Sequence, residues 1–362
     1  MLRCHEDWHS AATGRAATYN AQVSSVVATA PTRICDCGGW TDTWFAGHGA
    51  VLHIAITPGV RVKVDASASS ALNPPIVVHL DNYGESYSFT PDRLPGRHPL
   101  VEAAVATCPV PGTALDVTVS SDMPPGASTG TSASLAVALL KALAQLRGES
   151  PSPAALARSA HQLETGRLGL QSGIQDQIAA SYGGINFVEM RSYPDALVSP
   201  LTIRQETRAA LEERFVLVYL GRAHRSSDVH EDVIRSLQEG TSHVLDMLRE
   251  AAALGRDALL RGDLEAFGAA LTANTEGQRQ LHPLLVGDDA SRLVALASSV
   301  GALGWKVNGA GGEGGSIAVL LGDSPDEARA VLLDRLPDVS AHARRIPMRL
   351  ATSGAAAESA PA

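Results

Sequence analysis

From Leu115 the chain alternates apolar and polar residues (LDVTVSSD), passes Pro124, and enters a loop built only of Pro, Gly, Ala, Ser and Thr. It then continues into SASLAVALLKALAQLRG, where apolar residues recur at helical spacing up to Gly148. A strand that becomes a helix through residues this small brings backbone close to whatever lies beside it. The first N–H groups of the helix point outward, unpaired, at its positive dipole end. That end suits a phosphate, and it equally suits a plain N-capped helix. The loop lacks Gly-Lys-Ser/Thr, so it is not a Walker-type loop.

The rest of the chain fits around this unit. VSSVVATAPTRICDC reads as two extended runs broken at Pro31, and GAVLHIAIT and VRVKVDAS read as two more strands. IVVHL and SYSF form a pair about the turn Asn82-Tyr83-Gly84. After Pro200, FVLVYLG opens a second unit, with long helices at roughly 227–254, 256–277 and 288–302 and strands at WKVNG and SIAVLL. DEARAVLLDRL is its last helix and HARRIPMRLA its last strand. The pattern is α+β in two domains, 23–200 and 201–352. Residues 1–22 are expected to be a disordered lead-in, and 353–362 a flexible tail.

Three further segments have the composition of a site. APTRICDCGGWTDT joins a strand to a Gly-Gly turn and Asp42, a carboxylate able to accept hydrogen bonds from hydroxyls; Arg33 suits an anion. Without context it is also an ordinary polar turn. HQLETGRLGLQSGIQDQIAASYGG places Glu164 and Asp176 twelve residues apart across a glycine-rich stretch. Two carboxylates on successive helices can face one pocket, one holding a metal and the other a substrate hydroxyl, or can be solvated surface charges. KVNGAGGEGGSIAVLL has overlapping Gly-x-Gly spacings, but it leads into a strand rather than a helix, so the dinucleotide-binding reading fails.

Composition removes several classes of function. Lys plus Arg number 29 against 38 Asp plus Glu, with no basic run and only 4% aromatic residues, so a nucleic-acid partner is not expected. The four cysteines in 362 residues are no disulfide framework, and Cys35 and Cys37 read as small residues on a buried strand. No apolar run reaches the length of a membrane span, and the first residues lack a signal-peptide core; a cytoplasmic location without a membrane partner is the expectation.

In this order, the four segments resemble those of the GHMP kinase superfamily, from about Ala30 to Leu350. The family's phosphate loop, Pro-x-x-x-Gly-Leu-Gly-Ser-Ser-Ala, is similar to Pro124–Ala133, with Ser128, Thr129 and Thr131 replacing the usual Gly, Leu and Ser. KVNGAGGEGG looks like its third motif, with Glu313 where Gly is commoner. GGWTDT resembles the fucokinase style, and ETG…GLQSGIQDQIAASYGGIN the heptose 7-phosphate kinase style.

The resemblance implies an N-terminal domain of the ribosomal protein S5 domain 2-like type and a C-terminal ferredoxin-like α/β sandwich. It also implies an ATP- and Mg2+-dependent kinase acting on a sugar hydroxyl. The anomeric hydroxyl of a heptose 7-phosphate is the leading acceptor; a free sugar or uronic acid, and a non-catalytic ligand-binding relative, are the alternatives. Carried over by position, Pro124, Gly126, Ser128, Thr129, Gly130, Thr131 and Ser132 hold ATP, while Ser132 and Glu164 hold Mg2+. Asp176 is the base or orienter of the acceptor, and Arg33 neutralises the transferring group. Gly39, Thr41, Asp42, Tyr182, Gly183, Gly311 and Gly312 lie near the sugar. Arg222–Ser227 is a cationic cluster, so His224 and Arg225 are candidates for an anionic substituent. A sugar or sugar-phosphate substrate and a homodimer are the expected partners.

Overall fold

The computed structural model describes residues 24–221, 233–235, 242–312 and 314–360. The expected lead-in, most of residues 227–241 of the helix expected at 227–254, and His224, Arg225 and Glu313 lie outside them.

Strands β1 (Ser24–Cys37) and β2 (Gly49–Ala68) pair antiparallel over nearly their whole length. The prolines at 31 and 58 were expected to divide each into two. Instead, pairing shifts register between Ala30 and Thr32 and then resumes. Gly59 permits this, since a side chain there would meet the Ala30 carbonyl at 2.1 Å. The irregularity also changes which core the strands serve. Beyond it, Val60, Val62, Val64 and Ala66 pack under the helices of the N-terminal domain. Before it, Leu52, Ile54 and Ile56 pack against the C-terminal domain.

The first sheet continues with β3 (Ile76–Leu80), β4 (Glu85–Phe89) and β5 (Thr113–Ser121) beside β2, and with β6 (Ile185–Ser192) and β7 (Asp195–Pro200) along its other half. Over it lie α1 (Pro99–Thr107), α2 (Thr131–Leu146), α3 (Pro153–Gln162) and α4 (Gln175–Tyr182).

The second unit starts with α5 (Gln205–Arg214) and β8 (Phe215–Tyr219). It continues through α6 (Ser242–Arg261), α7 (Leu264–Leu281) and α8 (Asp288–Ser299) to β9 (Gly304–Val307) and β10 (Ser316–Leu320). Helices α9 (Pro325–Asp334) and α10 (Leu336–Val339) then lead to β11 (Arg344–Ile346). The sheet order β11-β8-β10-β9, all antiparallel, is the ferredoxin-like arrangement. Period-two alternation divides β8 between two cores: Phe215, Leu217 and Tyr219 face the interdomain core, Val216 and Val218 the outer one.

The chain end departs from expectation twice. HARRIPMRLA is not one strand: Pro347 separates β11 from β12 (Arg349–Leu350), which pairs with β2 in the other sheet. The expected flexible tail instead carries β13 (Ala356–Ala360), which adds to the edge of β1. Alternating small residues suffice there, because an edge strand gains its backbone hydrogen bonds whatever its composition.

Candidate active site

At the mouth of α2, residues 126–130 wind through left-handed backbone at Gly126 (φ 72°), Ser128 (59°) and Gly130 (72°). Alternation of this kind turns successive N–H groups to one side, and the unpaired amides of the first helical turn add to them. The loop is locked from behind. The Arg33 amide donates to the Thr129 carbonyl at 3.0 Å, Ser134 Oγ to the Pro31 carbonyl at 2.7 Å, and Ser316 Oγ to the Ala127 carbonyl at 2.6 Å.

Opposite the loop stands Asp176, in the first turn of α4. Arg33 Nε donates to its Oδ1 at 2.7 Å, while Arg33 NH1 donates to the Ser128 carbonyl at 2.5 Å. A side chain at Gly130 would sit 3.0 Å from the Asp176 carboxyl carbon, so glycine there keeps the carboxylate against the loop. The loop, the Arg33 cation and the Asp176 carboxylate therefore line one cavity of about 690 Å³.

Glu164 lines the same cavity from the π-helical turn Leu163–Arg167 that follows α3. It is 6% exposed, and its Oε1 has no hydrogen-bond partner. Burial raises its carboxyl to about 7, with Asp176 adding to the shift against an opposing hydrogen bond from Gln177. An orphaned, desolvated carboxylate fits a divalent cation, and Ser132, which lines the same cavity, offers a second oxygen. Among the described residues no cluster of three or more His, Cys, Asp or Glu side chains is arranged to hold a metal. Such a cation would therefore complete its shell with phosphate oxygens and water.

The Gly-Gly turn supplies the third wall. Gly39 and Asp42 line the cavity. Asp42 Oδ2 accepts from the Gln175 amide at 3.0 Å and sits 2.1 Å from where a side chain on Gly173 would begin, so Gly173 is what admits it. Burial raises this carboxyl to about 6, against the pull of the Gln175 amide. Beneath lies His53, fully buried, whose imidazole burial and then Arg33 lower to about 3; it is neutral.

Gly126, Ser128, Thr129, Gly130, Thr131, Ser132, Arg33, Glu164, Asp176, Gly39 and Asp42 thus meet in one cavity. Others of the expected set stand elsewhere. Pro124 lies behind the loop, its carbonyl accepting from the Ala127 amide. Thr41 is fully buried and braces the turn, donating to the Gly38 carbonyl at 2.6 Å. Tyr182 packs on the apolar cluster of Val51, Ile174 and Val188, and Gly183 on the Ser353 backbone. Gly311 is pressed against the Leu285 carbonyl, and Gly311 and Gly312 are buried away from the cavity; Gly309 and Ala310 line it instead.

Sequence reasoning missed Asp36 and the loop Gly169–Gly173, which also line the cavity, and Lys306 behind it. One cue was present: Asp36 and Lys306 are opposite charges, each inside a strand otherwise fit for burial.

Comparison with known proteins bears on family and fold. The model described as GHMP kinases N terminal domain matches residues 99–184, and that described as GHMP kinases C terminal matches 256–337. The chain is 29% identical over 195 residues to a D-glycero-alpha-D-manno-heptose 7-phosphate kinase of Campylobacter jejuni, covering 54% of this chain and 58% of that protein. It is 28% identical over 325 residues to a bifunctional fucokinase/GDP-fucose pyrophosphorylase of Arabidopsis thaliana, covering 83% of this chain and 30% of that one. Less than two thirds of either relative is therefore spanned. In fold it is similar to a Lactococcus lactis galactokinase complexed with galactose, with a TM-score of 0.69 at 18% identity over 92% of this chain and 95% of that one.

Proposed function

Since the chain belongs to the GHMP kinase family, we propose that it transfers the γ-phosphoryl group of MgATP to a sugar hydroxyl. The acceptor in this reading is the anomeric hydroxyl of a heptose 7-phosphate, a choice supported by the similarity to a protein named a heptose 7-phosphate kinase. One observation carries the reading: Arg33 clamps Asp176 against the mouth of α2, so that a carboxylate and a cation flank the amides suited to a triphosphate.

In the transfer a bond forms between the acceptor oxygen and the γ-phosphorus as the bond from that phosphorus to the β-phosphate bridging oxygen breaks. The hydroxyl proton is taken toward Asp176, which accepts the acceptor's hydrogen bond. An anomeric hydroxyl is more acidic than other sugar hydroxyls, which brings it nearer a carboxylate's range. Arg33 lies between Asp176 and the phosphate loop, where it offsets charge on the moving group. Glu164 and Ser132 would hold Mg2+, which when bound would neutralise charge on the phosphates. Asp42 and the Gly39 turn grip hydroxyls on the far side of the ring, and positioning supplies much of the rate.

The reading is tested by an ADP-release screen over free sugars, uronic acids and heptose 7-phosphates. Phosphorus–proton NMR of the product then locates the new ester. Sugar-dependent ADP release with the ester at C1 is expected. No release above the ATP-only control across the panel removes the proposal, and release confined to free sugars or uronic acids moves the acceptor to that class.

A further inference from the structure

Lys306, on β9, is fully buried, and Asp36, on β1, is nearly so. A lysine is seldom buried without a partner, and an apolar pair of similar volume would hold two domains together at no less stability. The surroundings give this pair a different use. Lys306 Nζ donates to Asp36 Oδ1 at 3.2 Å, to Gln278 Oε1 at 3.0 Å and to the Val307 carbonyl. Asp36 also accepts from the Gly309 amide at 3.1 Å and lies 3.9 Å from Arg33 NH2. A side chain on Gly309 would lie 2.9 Å from the Ser128 carbonyl and 3.4 Å from Arg33 NH2. The charges alternate along one line: Lys306, Asp36, Arg33, Asp176. Lys306 comes from β9, Asp36 and Arg33 from β1 and Asp176 from α4, and the last two flank the loop at the mouth of α2.

Burial alone would raise the Asp36 carboxyl, yet Arg33, Lys306 and the Gly309 amide bring it below the ordinary value, so it stays a carboxylate. Arg33 therefore faces two anions: Asp176 holds its Nε, the Ser128 carbonyl its NH1, and Asp36 stands 3.9 Å from its NH2.

We propose that Lys306 and Asp36 are a positioning pair for phosphoryl transfer: anchored from the C-terminal domain, Asp36 sets the guanidinium of Arg33 and, through it, the carboxylate of Asp176. The pair touches no reacting atom. This inference rests on the kinase reading, and it adds that the β9 side of the C-terminal domain governs the geometry of the Asp176 carboxylate.

The test uses the full chain with Lys306→Met, Asp36→Asn and the double variant. Lys306→Met leaves Asp36 buried beside one cation fewer, so lower thermal stability is expected. The double variant carries no buried charge at either position and is expected to regain most of the lost stability. Its kcat is nonetheless expected to stay down about 100-fold, the cost of a small misplacement at a reacting centre. The dissociation constant for MgATP is expected to change less than about threefold, since neither residue reaches the nucleotide loop directly. Recovery of kcat together with stability in the double variant makes the pair merely structural and overturns the proposal.

A second readout needs no turnover. The Nε–H of Arg33, held on Asp176, is expected to exchange slowly with water in the wild type and fast in the double variant, as followed by 15N NMR. An unchanged exchange rate overturns the positioning role whether or not the protein is a kinase. A wild type that phosphorylates no sugar while Arg33 is still loosened overturns the kinase reading alone.

Discussion

Two carboxylates face one cavity, and the chain treats them in opposite ways. Asp176 is given a cation: Arg33 holds its Oδ1 at 2.7 Å, and its side chain keeps 28% exposure toward the cavity. Glu164 is given none; it is buried, one oxygen has no partner, and its carboxyl rises to about 7. Under the proposed kinase reading, the difference fits what each would await. A carboxylate already paired and aimed is ready to meet a neutral hydroxyl. One desolvated and unpaired is costly until a cation arrives, so its burial serves binding rather than proton transfer.

The largest test of this contrast is Asp176→Asn. It keeps the shape and removes the proton acceptor, so kcat is expected to fall by about 10³-fold, within the usual range for a general base. MgATP affinity from a calorimetric titration is expected to stay near that of the wild type. Near-normal turnover would make the two carboxylates equivalent and the contrast empty. Next in size is Glu164→Gln, for which the Mg2+ concentration giving half-maximal rate is expected to rise about 10- to 100-fold, the worth of one charged partner. An unchanged magnesium titration takes Glu164 out of the metal site.

Asp42 sharpens the comparison from the sugar side. Its carboxyl is buried and raised to about 6, yet unlike Glu164 it has a partner, the Gln175 amide. Asp42→Asn is expected to raise KM for the sugar about tenfold with little change in kcat, again the worth of a hydrogen bond to a charged group. The wild-type KM is expected to fall as pH rises through about 6 and the carboxylate forms, while the variant's stays flat. Parallel pH profiles would remove Asp42 from the sugar.

How much of this was legible in the sequence depends on the distance over which each feature is made. The strand–loop–helix from Leu115 to Leu146 is local, and its small residues and helical spacing place it well. Glu164 and Asp176 were nameable from their glycine-rich setting, but their different environments were not. Those follow from Arg33, 143 residues before Asp176, and from the π-helical turn that carries Glu164 inward. Lys306 and Asp36, 270 residues apart, each look like an interruption in a buried strand until the other is seen. Adjacency in a motif also misled: Thr41 stands beside Asp42, and Gly311 and Gly312 near Gly309, yet backbone direction turns them into packing. The prolines at 31 and 58 read as breaks, because sequence shows a missing N–H but not the neighbouring strand that keeps pairing across it.

The smallest expected effect probes the same two carboxylates without catalysis. A carboxyl whose native value lies above its unfolded value adds stability that is fully present below the unfolded value and lost as pH rises to the native one. For Glu164 the window runs from 4.5 to about 7. The loss across it is on the order of 3 kcal/mol, a few degrees of melting temperature for a chain this long. The ligand-free wild type should therefore lose stability between pH 4.5 and 7.5 relative to Glu164→Gln, which has no proton to release. Scanning fluorimetry of both proteins over that range reads the difference directly. Added Mg2+ with a non-hydrolysable nucleotide should then stabilise the wild type more than the variant at pH 7.5, because the bound cation favours the ionised form. If the two melting profiles run parallel in both conditions, burial of Glu164 carries no electrostatic cost, and the two carboxylates do not differ in the way their surroundings imply.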